Sequence, residues 1–130
     1  MLIDTSGFLC LIHKDEREHV DAVRQYAEAP FYLTHSYILN EFVPLANSRK
    51  LPRLQSLKFS RQMLTDTSIE VVWVDEALHE SALGLLEKRL DKSYSLCDAV
   101  SFVLMRDRLI ANALTTDRHF EQEGFVRLLK

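Results

Sequence analysis

The sequence predicts an α/β protein: a three-layer α/β/α sandwich around a mainly parallel sheet of four to five strands. Two observations predict it. Strand-like and helix-like patterns alternate along the chain, the order of a parallel sheet with helical crossovers. The 130 residues hold no repeat, low-complexity tract or linker-like stretch, and 47% are hydrophobic and 27% charged. That is the balance of a soluble globular chain long enough to bury a core without staples. One domain, residues 1–130, is expected.

Each element has a local reason. Leu2–Ile3 opens the chain as a buried strand, and Asp4 follows at the point where it leaves the core. Asp15-Glu16-Arg17-Glu18 resembles a capping box, after which Val20, Val23 and Ala27 recur at helical spacing. Pro30 ends that helix, and Phe31–Thr34 is a short strand. Ser36 to about Ser48 is a helix with Ile38, Phe42 and Leu45 on one face, and Leu54 to Leu64 is a second. Ile69–Val74 is β-branched and aromatic and is expected to be a central strand, with Trp73 in the core rather than a base-stacking platform. Asp75 caps a helix to about Leu90, with Leu78, Ala82, Leu85 and Leu86 inside. Ser95 starts a helix to about Met105, Ala111–Thr115 is a strand, and Phe125–Leu128 is a weaker last one.

Composition excludes several classes. No apolar run approaches the ~20 residues that span a bilayer, and the N-terminus lacks a signal-peptide pattern. Cys10 and Cys97 lack metal-type spacing and are read as reduced thiols of a cytoplasmic protein. Only Gly7, Gly84 and Gly124 are present, so no Walker loop or dinucleotide turn is possible, and no G-x-S-x-G elbow exists. The five histidines show no metal spacing, although His119 lies two residues beyond Asp117. The formal net charge of −3 does not advertise nucleic-acid binding. Its distribution says more: from Phe42 to Thr65 there is no acid, but Arg49, Lys50, Arg53, Lys58 and Arg61 all occur. That stretch is either a solvated helical face or an arm for an anionic polymer, with Arg49, Lys50 and Arg53 nearest in sequence to Glu41.

The acids form the chemical pattern. Asp4 ends the first strand, Asp98 sits in the first turn of the helix opened by Ser95, and Asp117 follows the strand ending in "LTT". Strand C-ends and helix N-ends share one edge of a parallel sheet, where open α/β folds build their sites. Glu41 interrupts a row that otherwise looks buried, between Ile38 and Leu45. Singly, each acid has a plain structural role: Asp4 as the cap of a helix near Thr5, Asp98 in a capping box with Ser95, Asp117 as the cap of "RHFEQE", and Glu41 at an amphipathic boundary. Together, four carboxylates on one rim would raise one another's pKa, and a divalent cation resolves that. Hard oxygen ligands point to Mg²⁺ or Mn²⁺.

The stretches "LIDTSGFL", "ILNEFVPL", "YSLCDAVSFVLM" and "ALTTDRHF" resemble the successive motifs of PIN-domain ribonucleases, most strongly the VapC-type toxins of toxin–antitoxin pairs. The resemblance runs from Met1 to the C-terminus, and its one departure is the low glycine count. It places Asp4, Glu41, Asp98 and Asp117 on the family's four acidic positions, and Ser6, Ser95 and Thr115 on its supporting hydroxyl positions. It implies a Mg²⁺-dependent endoribonuclease acting on single-stranded or loop RNA, a homodimer, and a small antitoxin that masks the site. Asp4, Asp98 and Asp117 are expected as metal ligands; for Glu41 two roles stay open, ligand or orienter of the attacking water. Two other readings remain at this point: a catalytically silent RNA- or partner-binding module, and a small metal-dependent phosphatase. Phosphatases with an aspartyl nucleophile show Asp-x-Asp after the first strand, and here Ser6 takes the second position.

Overall fold

The computed structural model describes residues 1–130. Five strands form one sheet: β1 (Leu2–Ile3), β2 (Leu33–His35), β3 (Glu70–Val72), β4 (Asn112–Leu114) and β5 (Val126–Arg127). Their order is β3-β2-β1-β4-β5, and every neighbouring pair is parallel. Seven helices connect them: α1 (Thr5–Ile12), α2 (His19–Glu28), α3 (Ser36–Ser48), α4 (Arg53–Gln62), α5 (Glu76–Glu87), α6 (Leu96–Asp107) and α7 (His119–Gln122). The chain steps outward from β1 to β2 to β3, then returns across the sheet to β4 and β5. Right-handed crossovers then put α1 to α4 on one face and α5 to α7 on the other, which is the expected three-layer sandwich.

The sheet's centre is β1, whose Leu2 and Ile3 are fully buried. The segment Ile69–Val74 does contain a strand, but at the edge of the sheet rather than its centre. Trp73 lies just past that strand and is 61% exposed, so the expectation of a core tryptophan is corrected. β-branched and aromatic composition marks a strand without saying how many neighbours it has. The capping box at Asp15–Glu18 does not form either. Helix α2 starts at His19, with Glu18 at its N-cap position and no side-chain cap, while the Glu16 carboxylate turns to Arg49, 2.9 Å away. The helix buries Ala22 and leaves Val20 and Val23 exposed. On α4 the buried residue is Ser56, while Leu54 and Leu57, and Leu64 just past the helix, are exposed. Asp75 caps α5 as expected, through Leu78 N–H. That helix stops at Glu87, short of the exposed Leu90. Cys10 and Cys97 are both free and buried.

Two features fix the C-terminal edge of the sheet. Gly7, in the first turn of α1, lies against β4 so closely that an added Cβ would stand 2.0 Å from the Leu114 carbonyl oxygen. Only glycine permits this approach, which sets Ser6 beside Thr115. This glycine therefore serves the site. On the other side, the buried Glu123 accepts two hydrogen bonds from Arg89, at 2.9 and 3.2 Å, and pairs with Arg106. That tie anchors the segment leading to Ser93 and Ser95 against α6 and the end of α7. Because the Gly7 contact is to backbone, Gly7→Ala is expected to destabilise the protein by about 3 kcal/mol, the upper range for overpacking. Chemical denaturation measures this, and a loss below about 0.5 kcal/mol would mean the edge relaxes freely.

Candidate metal centre

Thr115 organises the floor of the cleft. It is fully buried at the end of β4, where its Oγ1 donates to Asp4 Oδ2 at 2.9 Å. The same oxygen accepts the Asp117 backbone N–H at 3.0 Å. Ser6 Oγ accepts the Thr116 N–H at 3.0 Å and lies 3.2 Å from Thr115 Oγ1. Since the Thr115 proton goes to Asp4, Ser6 is the donor in that contact. One hydroxyl thus ties the ends of β1 and β4 and the first turn of α1 to Asp4 and Asp117. Asp4 occupies the N-cap position of α1 but makes no capping bond to it. A cap is therefore not what its carboxylate does.

Asp98 does fulfil its structural role. Ser95 Oγ accepts the Asp98 N–H, and Asp98 Oδ2 accepts the Ser95 N–H, both at 3.0 Å, a complete capping box. The same Oδ2 lies 2.9 Å from His119 Nδ1. Asp117 Oδ1 accepts the His119 N–H at 2.9 Å, which starts the short α7. These bonds leave Asp98 Oδ1 and Asp117 Oδ2 without a protein hydrogen bond. Glu41 comes from α3 on the opposite wall, with Pro44 and Leu45 one turn on. Its side chain is exposed to the cleft and not buried in the row of Ile38 and Leu45. Its pKa is raised by partial withdrawal from water and by Asp98 and Asp117, and lowered by the Cys97 thiol beside it.

The four acids, with Ser6 and Ser95, line one open cleft of about 640 Å³. The basic stretch does not join them: Arg49, Lys50 and Arg53 lie outside the lining, and Arg49 is held by Glu16. Three residues that carry little or no signal in the sequence do join. Thr116 and Ser93 line the cleft, as does His119. His119 Nδ1 faces a carboxylate, so it carries the proton; in the neutral ring Nε2 then accepts from Ser93 Oγ at 3.3 Å. The Tyr94 ring packs edge-on against the imidazole, 5.2 Å between centroids. The spacing of two residues from Asp117 was the one available hint of His119.

No lysine or arginine side chain lines the cleft beside these acids. Burial, reinforced by Asp98 and Asp117 and opposed by the Thr115 hydroxyl and the Thr5 amide, raises the Asp4 carboxyl to about 7. Burial likewise raises Asp98. The donor set fits a hard divalent ion: carboxylate oxygens from four elements, with those of Asp98 and Asp117 within 4.8 Å of one another.

A family model described as the PIN domain matches residues 1–125. The chain belongs to the PIN-domain family. Over 129 residues it is 31% identical to the 23S rRNA-specific endonuclease VapC20 of Mycobacterium tuberculosis, from strains CDC 1551 / Oshkosh and ATCC 25618 / H37Rv alike. The alignment covers 98% of this chain and 97% of that protein. The crystal structure of Mycobacterium tuberculosis VapC20, described as a sarcin–ricin loop cleaving toxin, matches with a TM-score of 0.89 at 28% identity. That match covers 99% of this chain and 98% of the other. PIN domains use divalent metals, and the resemblance carried by the four acidic motifs is borne out at the level of the family.

The raised Asp4 carboxyl has a consequence for the metal-free PIN domain. Between its unfolded value of 3.8 and about 7, the folded state holds a proton that the unfolded chain has released. Stability contributed by Asp4 therefore falls as pH rises through that window. His35, lowered to about 3 by burial, acts in the opposite sense below its ordinary value of 6.5. The sign is read from a difference: in EDTA, the melting temperature of Asp4→Asn relative to wild type is expected to climb from pH 4 to pH 7 and then level off. A constant difference would contradict the buried, unpaired Asp4.

Proposed function

We propose that this chain is a divalent-metal-dependent endoribonuclease, the toxin of a type II toxin–antitoxin pair, which hydrolyses phosphodiester bonds in loop or single-stranded RNA. The observation that carries the reading is the meeting of Asp4, Glu41, Asp98 and Asp117 in one cleft, in a chain aligned along its length with an rRNA-specific endonuclease. A silent module would not need all four acids. A monoester phosphatase with an aspartyl nucleophile would need a second acid where Ser6 instead serves Thr115 and Thr116.

Asp4, Asp98 and Asp117 would hold Mg²⁺ or Mn²⁺, with Glu41 facing them. The ion supplies Lewis acidity, which acidifies water and offsets charge on the phosphodiester. Thr115 keeps Asp4 and Asp117 in register, and Ser95 keeps Asp98 turned into the cleft. His119 donates to Asp98 and so holds one oxygen of that carboxylate away, leaving Oδ1 for binding. Glu41, exposed and raised in pKa, would orient water and accept its proton. Arg49, Lys50 and Arg53 stand outside the cleft, so their proposed part is to attract RNA and not to position the reacting phosphate.

Family membership brings two partners into the proposal: a small antitoxin and a second copy of the chain, in a cytoplasmic setting. The exposed Leu54 and Leu57 on α4, with Leu64 just past its end, give such partners an apolar surface. No helix is long and apolar enough to cross a membrane.

The test of the activity is Asp98→Asn against a stem-loop RNA of the sarcin–ricin type beside an unrelated loop. The amide keeps the capping geometry, so stability should change by less than about 1 kcal/mol. Cleavage should fall by orders of magnitude, and a variant with wild-type turnover would defeat the assignment. For the basic stretch, Arg49→Ala with Arg53→Ala should weaken RNA binding and flatten its salt dependence, by about 0.7 in log–log slope for each phosphate no longer neutralised. Mg²⁺ affinity should not change. Unaltered salt dependence would return the stretch to an ordinary solvated face.

A further inference from the structure

Two of the four acids are held by one hub, and two are not. Asp4 and Asp117 share Thr115. Glu41 and Asp98 ride on α3 and α6, helices that pack on opposite faces of the sheet and meet only over its C-terminal edge. Their separation is therefore not set by the strands. A directed chain of hydrogen bonds crosses between these helices. His35, at the end of β2, caps α3 by accepting the Ile38 N–H at Nδ1, 3.4 Å. Its Nε2 thus carries the proton and lies 2.8 Å from Ser101 Oγ on α6. Ser101 Oγ in turn donates to the Cys97 carbonyl at 3.2 Å.

We propose that His35 and Ser101 are positioning residues: their hydrogen bond sets the gap between the helix bearing Glu41 and the helix bearing Asp98, and with it the fit of the cation. The proposal rests on the metal reading of the cleft. Both residues are completely shielded from water, so the bond is directional, has no competing solvent, and is expensive to break on one side only. Burial keeps the imidazole neutral over the working pH range, which preserves this tautomer. The levers are short. Ser101 lies three residues after Asp98 on the same helix side, about 4.5 Å of rise. Glu41 lies six residues after His35, about 9 Å along α3. The second contact across the same junction is the Cys97 thiol beside Glu41, one turn before Ser101. Neither His35 nor Ser101 lines the cleft, so any effect on the ion must pass through the helices.

Calorimetric titration of Mn²⁺ tests this on the full chain, with melting temperature in EDTA and RNA cleavage measured on the same samples. Ser101→Ala and His35→Asn each remove the interhelical bond, and Asn keeps an acceptor for the Ile38 N–H. Each should bind Mn²⁺ about 10-fold more weakly, the usual scale for groups that orient ligands. The double variant should be no worse than either single one, because both delete the same bond. His35→Gln, which returns an N–H near the Nε2 position, should restore affinity to within about 2-fold of wild type. kcat should fall with Mn²⁺ affinity while the KM for RNA stays put. Lowered melting temperature with wild-type Mn²⁺ affinity, or additive losses in the double variant, would overturn the proposal. If Ser101→Ala does not fold, Ser101→Cys, near in size with a weaker acceptor, carries the same expectation and the same refutation. A wild-type chain that binds no Mn²⁺ would instead overturn the metal reading itself.

Discussion

Like charges brought to one place repel, and this protein brings four carboxylates to the rim of its sheet with a single imidazole among them. The rest of the structure answers that repulsion. Asp4 is buried at the end of the central strand, where desolvation alone disfavours its charge. A protein can keep such a group only by neutralising it with a proton or with a cation. The surrounding bonds favour the second. Thr115 donates to Asp4, and the Ser95 amide and His119 ring donate to Asp98. Donors of this kind stabilise the ionised forms and aim their free oxygens into the cleft.

The parallel topology makes the convergence possible. Every strand ends, and α1, α3, α6 and α7 begin, at one edge, so residues more than a hundred positions apart become neighbours. Ser6 and Thr115 are 109 residues apart in sequence and 3.2 Å apart in space. That neighbourhood depends on Gly7, since any side chain there would push α1 off β4. Fold and site thus share contacts: the Asp98 capping box both starts a helix and turns a carboxylate toward the cleft.

The fold was legible because alternation of strand and helix patterns is a local property, and so were the acids, because each follows a strand or opens a helix. Ser6, Ser95 and Thr115 were found through the resemblance to the PIN family. Rank and rotation are not local, and local patterns do not carry them. Ile69–Val74 reads as a central strand, yet lies at the edge, since pairing order depends on crossovers and not on composition. Val20 and Val23 do lie on a helix but face outward while Ala22 is buried, since helical spacing does not say which face meets the core. Trp73 ends in solvent for the first reason. Ser93 carries no pattern of its own and enters the cleft only through its contact with His119. The basic stretch lies near Glu41 in sequence, yet Arg49, Lys50 and Arg53 do not line the cleft, and Arg49 turns to Glu16.

The central claim is that these four acids exist together to hold a divalent cation. Crystals of the chain soaked in Mn²⁺ and measured at the manganese edge test it directly. The account predicts an anomalous peak within bonding distance of carboxylate oxygens of Asp98 and Asp117, with Asp4 and Glu41 around it, and loss of that peak in crystals of Asp98→Asn. A cleft without a peak at millimolar Mn²⁺, or manganese bound only at surface acids such as Glu121, would contradict it.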